Sequence, residues 1–223
     1  PEELSPVLLG TAAEHLISKK EYAKAEPFAA YLLEHYRDSD FADYGIAAMA
    51  EILLDRKKPK DAAKLLQEAI AEDLPRNKEK DIYLLLGRTR LELGSPADLD
   101  VAVKVLTDAA ARKEWRGEAT AWAYFYLGQV EEKRGKENEA FNFYWRCILT
   151  RKKFGNVTGK VYLRLIELYQ KKGDLNGVRG TLVEMLRPDN PASKTPEADK
   201  ARGIQGRTPE GPAIITLPDV KKS

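Results

Sequence analysis

The chain has 223 residues, 43% of them apolar and 32% charged, a composition ordinary for one large or two small globular domains and too apolar for general disorder. Its 37 basic and 35 acidic residues nearly cancel, so neither nucleic acid nor an anionic membrane is indicated as a partner. Its apolar runs fall far short of the ~20 residues a membrane span needs, so no direct membrane insertion is expected, and one cysteine excludes an internal disulfide.

Ser5-Pro6 opens a helix whose apolar stripe is Leu9, Ala12, Ala13 and Leu16. Lys19-Lys20-Glu21 turns the chain, and Ala25, Ala29 and Leu32 continue on a second helix. Ile46, Met49, Ala50 and Leu53 repeat the pattern, followed by the Arg56–Pro59 turn and Ala62, Leu66 and Ala69. Tyr83, Leu86, Gly87 and Leu91 precede Gly94-Ser95-Pro96, then Ala102, Leu106 and Ala109. Tyr124, Leu127, Gly128 and Val130 precede a Lys-Arg-Gly-Lys turn, then Ala140, Tyr144 and Cys147. Tyr162, Leu165, Ile166 and Tyr169 precede Lys171–Asp174, then Val178, Leu182 and Met185. Each copy is a helical hairpin that cannot bury both apolar faces alone, so the copies must stack.

The small second-helix positions Ala25, Ala62, Ala102, Ala140 and Val178 are separated by 37, 40, 38 and 38 residues. The long interval is expected from three extra residues in the Ser95–Asp100 turn, where insertion costs little.

Tyr124-Leu127-Gly128 with Ala140-Tyr144, and Tyr83-Leu86-Gly87 with Ala102-Leu106-Ala109, resemble the tetratricopeptide repeat (TPR) family over roughly residues 6–188. The period is longer than the family's ~34 residues, and Ile166 departs from the family pattern at the small position. With the phrase Tyr22-x-x-Ala25, Leu33-x-x-Tyr36, Ser39-x-x-Ala42, the longer repeats look like the bacterial envelope subgroup of outer-membrane-assembly lipoproteins and Tol-Pal coordinators. The resemblance implies an all-α, right-handed superhelical solenoid over 1–188, with repeats near 6–39, 40–76, 78–113, 117–153 and 157–187. It also implies a periplasmic or outer-membrane-associated location, with the cytoplasm as the alternative.

The tail is different material. Six of twelve prolines lie after Arg187 and no aromatic follows Tyr169, so 189–223 reads as a Pro-rich, mostly irregular extended segment. Thr195-Pro196-Glu197 could open one short capped helix. Ile214, Ile215 and Leu217 form an apolar, β-branched run between prolines, as in a segment docked on its own or a neighbouring groove, which would make a homo-oligomer through the tail.

No residues stand out for catalysis, metal or cofactor binding. His15 and His35 have no partner at metal-ligand spacing. Cys147 occupies a small core position and reads as a buried structural thiol. Asn156-Val157-Thr158 matches a glycosylation acceptor by chance, in an inter-repeat loop. The basic clusters at Arg56–Lys60, Arg151–Lys153 and Lys171-Lys172 read as solvated turns. The family's groove positions fall on Tyr44, Leu84, Arg88, Trp122, Phe125, Gln129, Leu163 and Glu167, which lead to a concave surface for a protein or peptide partner. On residue type alone, inter-repeat core is an equal reading of Trp122 and Phe125. The Lys/Asn pattern of chaperone-tail receptors is absent from these positions. The expected function is a non-catalytic interaction scaffold. The alternative, prompted by the Pro1 start, is the assembly or regulatory module of a longer, envelope-anchored chain.

Overall fold

The computed structural model describes residues 1–215, and among them every regular element is helical. In order these are α1 (Pro6–Ser18), α2 (Tyr22–His35), α3 (Ala42–Asp55), α4 (Pro59–Ala71), α5 (Glu79–Leu93), α6 (Pro96–Ala111), α7 (Glu118–Lys133), α8 (Glu137–Arg151), α9 (Gly155–Lys171), α10 (Leu175–Leu186) and α11 (Pro196–Gln205). Single 3-10 turns lie at Lys113–Trp115 and Pro191–Lys194. The all-α expectation holds, and the predicted hairpins are α1/α2, α3/α4, α5/α6, α7/α8 and α9/α10.

Every hairpin turns on one left-handed residue: Lys20, Lys57, Gly94, Gly135 and Gly173. In four of the five, the next backbone N–H returns to a carbonyl of the last helical turn, as in Glu21 to Leu16 and Lys136 to Glu131, which satisfies carbonyls the helix would leave open. Glycine adopts this conformation freely, whereas Lys20 and Lys57 hold it at a steric cost. The three extra residues of the third repeat are not a looser turn. They lengthen α6 at its start, where Ser95 Oγ and Asp98 close a capping box: Asp98 N donates to Ser95 Oγ at 3.2 Å, and Ser95 Oγ donates to the Asp98 carboxylate at 2.5 Å. An insertion near a full helical turn keeps Ala102 facing α5.

The chain divides into two compact units, Pro1–Ala109 and Ala110–Ser223. In the first, successive helices α1 to α5 pack in order, and α3 also meets α1 and α5, so first helices pack on first helices. Ile46, Ala50, Leu66, Ile82 and Leu86 form its main core. A Cβ on Gly87 would lie 2.5 Å from Leu106 Cγ, so the small residue sets the α5–α6 approach. The fully buried Asp43 of α3 ties the α4–α5 loop, its Oδ2 accepting from the backbone N–H groups of Arg76, Asn77 and Lys78 at 2.8, 2.5 and 2.6 Å.

In the second unit α7, α8, α9 and α10 pack in order and α7 meets α9. Tyr144, Tyr162, Leu165, Ile166, Leu182 and Met185 are its fully or nearly fully buried centre. A Cβ on Gly128 would fall 2.6 Å or less from three carbons of the Tyr144 ring, so the bulky residue fills the hole the glycine leaves. The 155–158 stretch is the first turn of α9 rather than a loop, and Thr158 is buried with its hydroxyl on the Phe154 carbonyl at 3.2 Å.

The predicted extended tail is corrected over its first half. The Pro191–Lys194 turn and α11 pack on α9 and α10, burying Ala192, Ala198 and Ala201. Buried Asn190 anchors this segment: its Nδ2 donates to Tyr162 Oη at 3.0 Å and the Glu184 carbonyl at 2.7 Å, and its Oδ1 accepts from Ala192 N at 3.0 Å. Glycines at 155 and 159 let Pro191 and Thr195 sit against the α9 backbone. With a short apolar face inward and Glu197, Asp199, Lys200 and Arg202 along the rest of the helix, α11 closes the last hairpin as a polar cap. Residues 209–215 then run without regular secondary structure, with a bend at Glu210.

Candidate functional site

In the first unit, Tyr44 is half-buried on α3 beside Gly10 of α1, 5.9 Å from the Phe41 ring. The Lys78 ammonium stands 4.6 Å over its ring and is itself paired with Glu14 of α1. Arg88 of α5 donates through Nη1 and Nη2 to both carboxylate oxygens of Glu51 on α3, at 3.1 and 2.8 Å. This two-pronged pair joins neighbouring first helices. Leu84 is half-buried on the same helix. Ion pairs thus thread the first-helix face of this unit.

The second unit holds the aromatic part. Trp122, Phe125 and Tyr126 adjoin on α7: Trp122 stacks on Tyr126 at 5.6 Å with 24° between planes and meets Phe125 edge-on at 5.8 Å. Phe125 is corrected from groove to core, being 7% exposed and 6.3 Å from the Tyr144 ring. Trp122 and Tyr126 are only partly buried, as are Gln129 one turn on and Leu163 on α9. Counting fixed repeat positions misses Tyr126; its i,i+4 spacing from Trp122 was the available signal.

A charged network borders these aromatics. Glu132 of α7 accepts from the Tyr144 hydroxyl and from Arg164 of α9, Nε at 3.1 Å. Arg164 also bonds Glu167 at 2.5 Å. Burial and the adjoining Glu132 carboxylate push the Tyr144 hydroxyl far above its ordinary pKa, so it stays a donor. Burial works against the charge of Arg164, but Glu132 outweighs it and holds the guanidinium protonated. Glu167 is therefore exposed but paired, not a free groove charge.

Ile214 and Ile215 do not lie on a first-helix face, and the Ile214 side chain is exposed. They lie against Gly180 of α10, the second helix of the last hairpin. Leu217 lies outside the described residues. Cys147 is fully buried, its thiol pointing to the Ala121 carbonyl at 3.6 Å and pushed up to about 12 by burial. Among the described residues no His, Cys, Asp and Glu group could hold a metal ion, and no helix is long and apolar enough to cross a membrane. No protein-family model and no curated protein matches the chain.

Proposed function

We propose that the chain is a non-catalytic protein-interaction scaffold, its hairpins winding as a TPR-like right-handed solenoid, which holds a peptide segment on the first-helix face of α7 and α9. The supporting observation is the stacked Trp122–Tyr126 pair, left partly exposed at the edge of a packed core. Aromatic residues at such positions carry much of the energy of protein interfaces. Gln129 offers an amide to a peptide backbone, and the bordering Glu132–Arg164–Glu167 network favours partners that complement paired charges over a bare acidic or basic tail.

The test selects peptides from a random display library on the purified chain, then introduces a photo-crosslinking residue at Gln129 or, as control, at exposed Leu149 of α8. Adducts are expected at Gln129 alone, and Trp122→Ala should weaken binding by about tenfold or more. Selected peptides that all bind Trp122→Ala with unchanged affinity would refute the proposal.

A further inference from the structure

The last described residues form a strap across α10. Arg179 of α10 donates from Nε to the Pro212 carbonyl at 2.8 Å and from Nη1 to the Pro209 carbonyl at 3.0 Å. Its Nη2 is braced by Asn176 Oδ1 at 2.5 Å. Ile214 N donates to the Asn176 carbonyl at 3.3 Å, continuing the main-chain docking. Gly180 lets the strap approach the helix backbone: a Cβ there would lie 2.8 Å from Ile215 Cγ1 and 2.9 Å from the Ile214 carbonyl carbon. Only one strap side chain, Ile215, is half-buried and packs on the core; residues 209–214 are exposed.

Two features separate this from a permanently packed element. Among the described residues the strap is held by three hydrogen bonds, all to backbone atoms, and one apolar side chain. Segments so lightly buried open at low free energy. It also fits its seat incompletely. A cavity of about 530 Å³ remains between strap and helices, lined by Arg179, Leu182, Val183, Gln205 and Ala213 among others. From the strap, Pro209, Glu210 and Gly211 line that space together with the small methyl of Ala213, while Val183 and Leu175 on α10 stay 50% and 45% exposed.

We propose that the outer face of α10 is a second peptide-binding site, distinct from the α7 and α9 face, and that residues 209–215 are its cis occupant. The partner it fits is an extended segment of another polypeptide with two prolines three residues apart. Their carbonyls meet Arg179, a glycine lies between them where the strap has Gly211, and a branched apolar residue follows on Gly180. Glycine suits the Gly211 position because a Cβ there would lie 2.8 Å from the Arg179 guanidinium, which would have to shift off its strap carbonyls. A residue larger than alanine at the Ala213 position would fill the cavity, so a partner can displace the strap.

The test uses the full chain with the strap released by Ile214→Asp and Ile215→Asp. The probes are a labelled peptide of residues 208–215 and its Ala213→Leu form, followed by fluorescence anisotropy. The released chain should bind the first peptide, and the leucine form about tenfold more tightly from the added apolar burial. The unaltered chain should bind each at least about tenfold more weakly, because its own strap competes. Adding Arg179→Ala to the released chain should abolish binding. In the unaltered chain, excess leucine peptide should speed hydrogen exchange at the Ile214 amide, a readout independent of how well the substituted chain folds. Failure of both peptides to bind the released chain at about 1 mM, binding untouched by Arg179→Ala, or an Ile214 amide indifferent to the peptide would each overturn the proposal. Trp122→Ala should leave this binding unchanged, which separates the two sites.

Discussion

Gly128→Ala is the most informative single change, because it asks whether the Tyr144 ring can yield. The new Cβ would lie 2.6 Å or less from three ring carbons, whereas carbon atoms rest at about 3.5–4.0 Å, so ring or helix must move by roughly 1–1.5 Å. The ring has nowhere to go. Tyr144 is fully buried, its hydroxyl is held by Glu132, and Glu132 is held in turn by Arg164. Overpacking of this kind costs about 1–3 kcal/mol, and pulling the hydroxyl off a carboxylate costs about 1.5–3 more. Against this, alanine gains about 1 kcal/mol over glycine within a helix. The expected net loss is about 1.5–5 kcal/mol, read by urea unfolding followed at a probe in residues 110–215. Gly203→Ala on α11 is the control. Nothing lies within 4 Å of its added Cβ, so it should be neutral or gain up to about 1 kcal/mol. Tyr144→Leu should lose about 2–4 kcal/mol alone, yet combined with Gly128→Ala the total should fall short of the sum by more than 1 kcal/mol, roughly. A neutral Gly128→Ala, or additivity within about 0.5 kcal/mol, would refute the account of how α7 and α8 pack.

Two further outcomes follow from buried and paired carboxylates. Asp43→Ala strips three backbone N–H groups of their shared acceptor and should cost about 2–4 kcal/mol in urea unfolding of the first unit, with Asp43→Asn costing less because one oxygen still accepts; equal effects of the two would count against the loop-tying role. Burial works against the Glu197 carboxylate, but Lys160 at 2.8 Å outweighs it and holds the group below its ordinary pKa. A depressed carboxylate stabilises above its unfolded value of about 4.3 and loses that contribution as pH falls through the folded value. Amide exchange in α11 should therefore accelerate below about pH 4, and Lys160→Met should flatten that dependence; an unchanged profile would show that the pair does not hold the helix down.

The hairpins could be read from the chain because their causes are local. Apolar residues three and four apart, a turn residue seven positions after each small first-helix residue, and a small residue on the facing helix all lie within one repeat. The small Gly87 and Gly128 positions, and Cys147 in a core slot, were legible for that reason. Other features depend on residues far apart, and only tertiary packing decided them. Residue type could not say whether Phe125 was open or buried; the Tyr144 ring resting on Gly128 placed it inside. Proline content made the tail look unstructured, but Asn190 meeting Tyr162, and α11 closing the apolar end of α9 and α10, ordered its first half. Arg88 looks like a groove charge along the chain, but Glu51, 37 residues away on α3, pairs with it; the partner of Glu167 is local, Arg164 on the same helix α9. The apolar run at Ile214 suggested a contact for the tail but not its place. Where it docked was set by a missing side chain at Gly180 and by Arg179 beside it, because a backbone can lie against a helix only where no Cβ stands in its way.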